Sequence, residues 1–222
     1  MTESSFRPYS EFRRFDDDQM CQRAEEFARH MQTRRTVRDF SREPVPPSII
    51  DHCLDVARSA PSGANQQPWT FVVVESPELR RQIREAAETE EREFYRHRAP
   101  DEWLNALDPL GTNADKPFLE TAPVVICVFA QNWRQNSDGS RTKHYYVAES
   151  VGIAVGFLLC ALHHAGLATL THTPAPMKFL NGILARSDNE RPYLILIAGF
   201  PESGCQVPAI SKRDVKDVVV WC

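Results

Sequence analysis

Apolar residues along the chain repeat with helical spacing in some segments and form short β-branched runs in others. The helical spacing predicts helices at about 22–32, 48–59, 77–98, 144–165 and 177–184. The β-branched and aromatic runs predict buried strands at 69–74, 124–130, 167–171 and 193–198. Because the two kinds of segment alternate, the chain is predicted to form one layered domain of helices and strands over residues 1–222.

Two apolar segments carry further information. The segment 144–165 is apolar nearly all round, which predicts a central, buried helix that ends near Gly166. The extension at 208–222 ends in VKDVVVW, a strand-like run that must be paired and covered. It can pair in its own sheet or in the sheet of a partner chain, and the second arrangement would make an intertwined dimer.

The composition limits the classes of partner. The 222 residues include 26 basic and 30 acidic side chains, a formal net charge of −4, so there is no general positive field for nucleic acid. No apolar run approaches the roughly 20 residues of a membrane span, and the polar arm at 1–20 has no signal-peptide centre. We therefore expect a cytoplasmic protein that binds neither nucleic acid nor membrane.

Several common catalytic and binding motifs are absent from the sequence. It has no Gly-x-Ser-x-Gly elbow, no P-loop and no Gly-x-Gly-x-x-Gly after a strand. The six cysteines form no Cys-x-x-Cys pair and no cluster with zinc spacing, so no metal site is expected. His163 and His164, near the end of the long predicted helix, are expected to be structural.

A basic cluster follows the first predicted helix. Arg34, Arg35 and Arg38 flank Thr36 in the sequence RRTVR, and guanidinium groups can bind a phosphate through two parallel hydrogen bonds. A run of arginines is more often a solvated surface, so the cluster alone is a weak indication of a binding site.

The loop APSGANQQPW, at 60–69, strengthens the indication of a binding site. Ser62, Gly63 and Ala64 allow a ligand to approach the backbone, and the side-chain amides of Asn65 and Gln67 can pair with a planar heterocycle. A plain helix-to-strand turn would not require this whole series of small and amide residues. Together, the anion site and the amide-rich loop favour a phosphorylated aromatic cofactor.

Four motifs resemble those of a known family. RRTVRDF, APSGANQQPWTFVVV, GLATLTHTP and LILIAGFP resemble, in local sequence and in spacing, the FMN-dependent nitroreductase superfamily, and within it the iodotyrosine deiodinases. The resemblance extends over about 34–219. It implies an α+β fold with a central mixed β-sheet flanked by helices, and an intertwined homodimer that exchanges its C-terminal strands. FMN would lie at the dimer interface, so that each site draws on both chains.

The resemblance also implies which residues bind FMN. Thr173 would hydrogen-bond flavin N5 and is the expected catalytic residue. The segment 61–63 would line the flavin of the other subunit, and Lys212 or its neighbour Arg213 would contact the phosphate. The expected FMN-binding set is Arg34, Arg35, Thr36, Arg38, Pro61, Ser62, Gly63, Thr171, His172, Thr173 and Lys212.

A highly charged segment supplies candidates for substrate binding. Glu91 and Tyr95 are four residues apart and share one helix face, and Lys116 follows in TNADKPF. By composition alone, these are ordinary surface charges. The resemblance instead implies that they bind the zwitterion of an amino acid in an active-site lid at about 88–117, while the Ala64 backbone amide meets the substrate phenolate.

The function implied by the resemblance is reductive dehalogenation of halotyrosines, such as 3-iodotyrosine to tyrosine and iodide. Reduced FMN would supply the electrons, and NAD(P)H or a reductase would reduce the FMN. Two alternatives stay open: a general NAD(P)H-dependent nitroreductase or halophenol reductase with the same flavin site, and a flavin- or halotyrosine-binding protein without turnover. His172 stands where the animal enzymes have a hydroxyl residue, so a different phenolic substrate is compatible with the sequence.

Overall fold

The structure of the protein is a computed structural model that describes residues 6–222. The first five residues of the predicted polar arm therefore lie outside the described residues. The described chain forms two compact units, 6–34 and 35–222, and the single domain expected from the sequence stays a prediction. In the first unit, helix α1 (Asp17–Gln32) begins after Asp16, whose carboxylate caps it by accepting a backbone N–H at 2.8 Å.

The second unit contains the predicted alternation of helices and strands. Its helices are α2 (Pro47–Arg58), α3 (Pro77–Glu93), α4 (Asp101–Leu107), α5 (Phe118–Thr121), α6 (Val147–His164) and α7 (Phe179–Ile183). Its strands are β1 (Trp69–Val73), β2 (Val124–Gln131), β3 (Trp133–Gln135), β4 (Arg141–Lys143), β5 (Ala168–His172) and β6 (Glu190–Gly199). The helices and strands predicted for this unit before residue 200 are confirmed, with ends that differ by a few residues.

The central sheet is antiparallel. Strands β1, β2, β6 and β5 lie in that order, and each neighbouring pair is antiparallel. The prediction of a mixed sheet is therefore wrong for these strands. The parallel element among the described residues is an isolated bridge between Thr36 and Thr169 at the edge of β5, because the segment before α2 passes this strand only briefly.

The sheet lies between two apolar layers. On β2, Val124, Ile126 and Val128 face one layer, and Val125 and Cys127 face the other. The first layer includes α2 and α6, and the second includes α3, α5 and α7. Since both faces of β2 are buried, a slip of one residue would exchange its two sets of side chains, so packing fixes the register.

Helix α6, predicted as a central, buried helix, is buried on one face within a single chain. Val151, Ala154 and Leu158 are fully buried, whereas Ile153 and Phe157 are 42% and 38% exposed. Within the described residues, α6 is also the one helix whose length and mean hydropathy, 1.5, would allow it to cross a membrane. Its buried face packs in the same apolar layer as α2, so these properties are those of a core helix.

The tail at 208–222 does not form the predicted strand. It contains a 3-10 turn at Val215–Asp217, and the apolar side chains around this turn are exposed, Trp221 by 93%. Within residues 6–222 no strand pairs with the tail. One chain thus offers no cover for these residues, and the strand exchange implied by the resemblance would require a partner chain.

Candidate active site

A cavity of about 450 Å³ lies between the end of β5, the end of α3 and the predicted lid segment. The sequence predicted seven of its lining residues as cofactor or substrate ligands. They are Arg38, Glu91, Tyr95, Lys116, Thr171, His172 and Thr173. The fold thus brings together candidates from four separate stretches of the chain.

Packing at the edge of β5 places Arg38 in the cavity wall. Thr36 bridges Thr169, and the Val37 N–H donates to the Thr169 carbonyl at 3.2 Å. Val37 and Phe40 are buried in the core beneath this segment, so its path along β5 is fixed. The Arg38 guanidinium lines the cavity and can interact there with an anionic or electron-rich ligand.

His172 is a buried polar residue at the end of β5. Its side chain is 8% exposed, and its ring packs edge-on against Phe118 with centroids 5.5 Å apart. Its Nε2 atom has no hydrogen-bond partner within residues 6–222. An unpaired, buried ring nitrogen beside a cavity is a group that a bound ligand can satisfy. Burial, with the nearby charges of Lys116 and Arg38, lowers the pKa of His172 from 6.5 to about 3, so the imidazole is neutral at physiological pH.

This buried histidine should make the protein sensitive to acid. Between pH 6.5 and about 3 the unfolded chain binds a proton at His172 and the folded chain does not. The free energy of unfolding is therefore highest above this pH range and falls as the pH drops through it. The decrease in the free energy of unfolding should approach about 1.4 kcal/mol per pH unit. Thermal unfolding from about pH 7 to about pH 4 should show a smaller loss of Tm for His172→Gln than for the wild type. Equal slopes would show that another group causes the acid sensitivity.

Glu91 and Tyr95 lie on one side of the cavity. Glu91 is in the last turn of α3, and Tyr95 is in the π-helical turn Phe94–Arg98 that follows. Both side chains line the cavity. Their spacing predicts a shared helix face, which is compatible with this arrangement. Burial raises the pKa of the Tyr95 phenol, which therefore stays protonated and can donate a hydrogen bond.

Lys116 forms an ion pair with Glu91 inside the cavity wall. The Lys116 Nζ and Glu91 Oε2 atoms are 3.4 Å apart, and the side chains are 3% and 14% exposed. The Lys116 ammonium also donates to the Asn113 carbonyl. The alternative that Glu91 and Lys116 are ordinary surface charges is therefore wrong.

The two charges of this pair compensate each other. Burial raises the pKa of Glu91 and lowers the pKa of Lys116, while their mutual attraction opposes both shifts. A bound amino acid could place its ammonium beside Glu91 and its carboxylate beside Lys116. Both buried charges would then remain paired, which avoids the large cost of leaving one of them alone.

The segment 99–117 supplies an apolar wall that the sequence interpretation missed. The apolar pattern predicts no helix or strand at 99–117, but the segment contains α4 and a 3-10 turn at Asp108–Leu110. The missed lining residues in the segment include Trp103, Leu107 and Leu110. Their spacing of four and three residues is a helical signal that could have identified them.

The loop at 60–69 lies at the opposite edge of the sheet. It leads into β1, and β1 and β5 are the two edge strands, about 14 Å apart across three strand spacings. The cavity lining does not include Pro61, Ser62, Gly63 or Ala64. Within one chain, the structure therefore does not bring this loop together with Thr173.

The loop nevertheless has a specific backbone shape. Ala64, Asn65 and Gln67 have left-handed φ angles of 48°, 53° and 48°, which are unfavourable for residues other than glycine. The Ser62 hydroxyl stabilises the turn by accepting the Gln67 N–H at 2.9 Å, and the Gln66 side-chain amide bonds to the backbone before α6. Among the described residues, the Ala64 N–H has no hydrogen-bond partner, so it is available to a ligand.

The remaining predicted cofactor residues are basic. Arg34 belongs to the first compact unit, and the Arg35 guanidinium donates to the Pro208 carbonyl. Arg213 donates to a carbonyl of the tail at 2.7 Å, whereas no ion pair or hydrogen bond involves Lys212 in the described part of the chain. Lys212 is therefore the more available of the two candidate phosphate contacts.

Comparison with known proteins identifies the class to which this fold and site belong. Residues 31–200 match the nitroreductase family, and the chain belongs to that family. It is 48% identical over 216 residues to the iodotyrosine deiodinase of Haliscomenobacter hydrossis, with 97% of each chain covered. It is 41% identical to the iodotyrosine deiodinase of Danio rerio, over 96% of this chain and 72% of that protein. A crystal structure of oxidized iodotyrosine deiodinase bound to FMN and 3-iodo-L-tyrosine matches with a TM-score of 0.75 and 32% identity, over 88% of this chain and 98% of the other.

Proposed function

We propose that this protein is an FMN-dependent oxidoreductase that removes halide from halotyrosines, converting 3-iodotyrosine to tyrosine and iodide. The observation that carries the proposal is the buried Glu91–Lys116 ion pair in the cavity wall. A reductase for simple aromatic acceptors has no need of two opposite charges at this position. The similarity to proteins named iodotyrosine deiodinase, and to one solved with FMN and 3-iodo-L-tyrosine, supports the same substrate.

The residues around the cavity fit FMN. Arg38 offers positive charge, His172 offers an unpaired ring nitrogen, and Thr173 offers a hydroxyl group at the cavity. In this proposal FMN is held by Arg35, Thr36, Arg38 and the segment 171–173 of one chain, with Lys212 as a further cation. When bound, FMN supplies the two electrons for reductive cleavage of the carbon–halogen bond, and NAD(P)H or a reductase restores them.

The protein groups orient the substrate and exclude water. Glu91 accepts hydrogen bonds from the substrate ammonium, Lys116 donates to its carboxylate, and the Tyr95 phenol donates a further hydrogen bond. Trp103 and Leu107 cover the aromatic ring, which lowers the local dielectric and strengthens these contacts. The Ala64 N–H of the partner chain in the dimer proposed below would stabilise the phenolate. Thr173 is the catalytic residue of the proposal, since its hydroxyl can contact the cofactor.

The direct test is turnover by the reduced holoprotein. The purified protein should be yellow, and after reduction with dithionite it should convert 3-iodotyrosine, two electrons and a proton to tyrosine and iodide. The rate should exceed that of free reduced FMN at the same concentration, because the site orients the substrate. Iodide release no faster than with free reduced FMN would overturn the proposed function.

A general nitroreductase or halophenol reductase is the second candidate function. The apolar wall formed by Trp103, Leu107 and Leu110 favours it, since this surface would accept an uncharged aromatic acceptor. The two candidates differ in their need for the ion pair. A nitroaromatic substrate makes no use of Glu91 or Lys116, whereas an amino acid requires both.

We further propose that the working form is a homodimer in which the tails exchange. The exposed Ile153 and Phe157 on α6 and the exposed tail at 215–221 supply apolar surface that a second chain could cover. The loop at 60–69 is remote from the cavity of its own chain but has a free Ala64 N–H, as expected of a loop that completes the partner's site. We also propose a cytoplasmic location, which the six free cysteines support.

A further inference from the structure

Glu88 is a buried carboxylate that lies outside the cavity wall. It is 8% exposed and precedes Glu91 by three residues on α3. Residues three apart on a helix share a face. The two carboxylates are therefore directed toward the same neighbouring segment, the end of the lid that carries Lys116.

Glu88 and Glu91 bind different parts of Lys116. Glu88 Oε1 accepts the backbone N–H of Lys116 at 2.9 Å, whereas Glu91 pairs with the side-chain ammonium. The other oxygen of Glu88 accepts a hydrogen bond from Arg84 at 2.8 Å, and Arg84 also binds Glu120 on α5. Helix α3 thus holds residues 116–120 at two points, the Lys116 backbone and the Glu120 side chain.

We propose that Glu88 is a positioning residue for substrate recognition. It fixes the Lys116 backbone so that the Lys116 ammonium group stays in the cavity wall, next to the Glu91 carboxylate. This inference rests on the proposed function, because it concerns recognition of the substrate carboxylate. Glu88 itself touches neither substrate nor cofactor, since it does not line the cavity.

The reach of the side chain matters more than its charge in this role. The Lys116 N–H is buried with Glu88 as its acceptor, and the next residue, Pro117, has no N–H with which to anchor the segment. If the acceptor withdraws, the segment must move to satisfy this donor, and the ammonium moves with it. Shifts of about 1 Å in a positioning group are enough to impair recognition strongly.

Two conservative variants separate reach from charge. Glu88→Gln keeps an acceptor oxygen for the Lys116 N–H but removes the charge and the second acceptor, which binds Arg84. Glu88→Asp keeps the charge and both acceptors but shortens the side chain by one methylene. Binding to the oxidised holoprotein can be measured by quenching of FMN fluorescence, with 3-iodotyrosine and 2-iodophenol as probes. We expect Glu88→Asp to weaken 3-iodotyrosine binding by about 10-fold or more and Glu88→Gln by less than about 3-fold. Binding of 2-iodophenol, which lacks a carboxylate, should change by less than about 2-fold in both.

The matched control is Glu78→Asp. Glu78 lies on the same helix and pairs with Arg81, but it is exposed and has no contact with Arg84, Glu88 or Lys116. This variant should leave the affinities for both probes unchanged. A lower Tm for Glu88→Asp with an unchanged ratio of the two affinities would mark a purely structural role and overturn the inference.

Three further outcomes are decisive. If Glu88→Asp binds like the wild type and Glu88→Gln does not, charge and not reach is required, and the positioning role is overturned. A wild-type protein that shows no preference for 3-iodotyrosine over 2-iodophenol would overturn the proposed function together with this inference. A wild type that has the preference, and keeps it in Glu88→Asp, would overturn this inference alone.

Discussion

Replacing Glu91 with glutamine is expected to raise the KM for 3-iodotyrosine by at least about 30-fold, equivalent to about 2 kcal/mol. The substrate ammonium would lose a buried carboxylate, and the Lys116 ammonium would lose the charge that it faces at 3.4 Å. Reduction of a nitroaromatic should change by less than about 3-fold, because that substrate carries no ammonium group. Steady-state kinetics with both substrates measure the difference.

The neighbouring residue Glu90 provides a control for this experiment. It pairs with Arg98 at 2.9 Å and does not line the cavity, so Glu90→Gln should leave both KM values unchanged. Lys116→Gln should resemble Glu91→Gln, since it removes the other half of the ion pair. Equal effects of Glu91→Gln on the amino acid and on the nitroaromatic would favour the general nitroreductase.

If the proposed dimer forms by exchange of tails, a chain that ends at Asp214 is expected to lose both the dimer and most of its affinity for FMN. The truncation removes the exposed apolar residues of the tail, which have no cover within one chain and would be buried by exchange. It retains Lys212 and Arg213, so the candidate phosphate contacts are still present. Sedimentation or light scattering would report the mass, and fluorescence titration with FMN would report the affinity.

The variant Lys212→Gln separates the loss of the dimer from the loss of FMN affinity. This variant should remain a dimer but bind FMN more weakly, by about 10-fold, because it removes a positive charge without changing the apolar tail. If the chain ending at Asp214 is still a dimer with tightly bound FMN, the proposed exchange of tails is wrong. A stable monomer of the full chain that retains FMN would have the same consequence.

The apolar pattern predicted the helices and strands of the second unit because their burial follows a local period. Strand β2 is buried on both faces and appears in the sequence as a continuous apolar run, and α2 shows one apolar face. The pattern could not give strand direction, since a strand buried on both sides has the same sequence character in parallel and antiparallel sheets. The mixed sheet was inferred from resemblance, and the ladders of the four-stranded sheet are antiparallel.

The tail shows the limit of the same reasoning. The sequence VKDVVVW predicts a strand, but strand formation requires a neighbour for its backbone hydrogen bonds. Within the described chain that neighbour is missing, and the tail is exposed. Helix α6 is similar, because its uniform apolar composition indicates burial on all sides while one chain covers only part of it. In both cases the sequence shows that an apolar surface needs to be covered but does not show which surface covers it.

For the candidate site, too, some features follow from the sequence and others only from the tertiary structure. The sequence by itself determined which chemical groups are available: the basic cluster, the small and amide-rich loop, the segment 171–173, and the Glu91, Tyr95 and Lys116 set. Only the tertiary structure decided that Glu91 and Lys116 are a buried pair, that the loop lies at the far edge of the sheet, and that Glu88 holds the Lys116 backbone. Residue type and local period are properties of the chain, whereas burial and contacts between distant segments depend on how the layers pack, which no local pattern specifies.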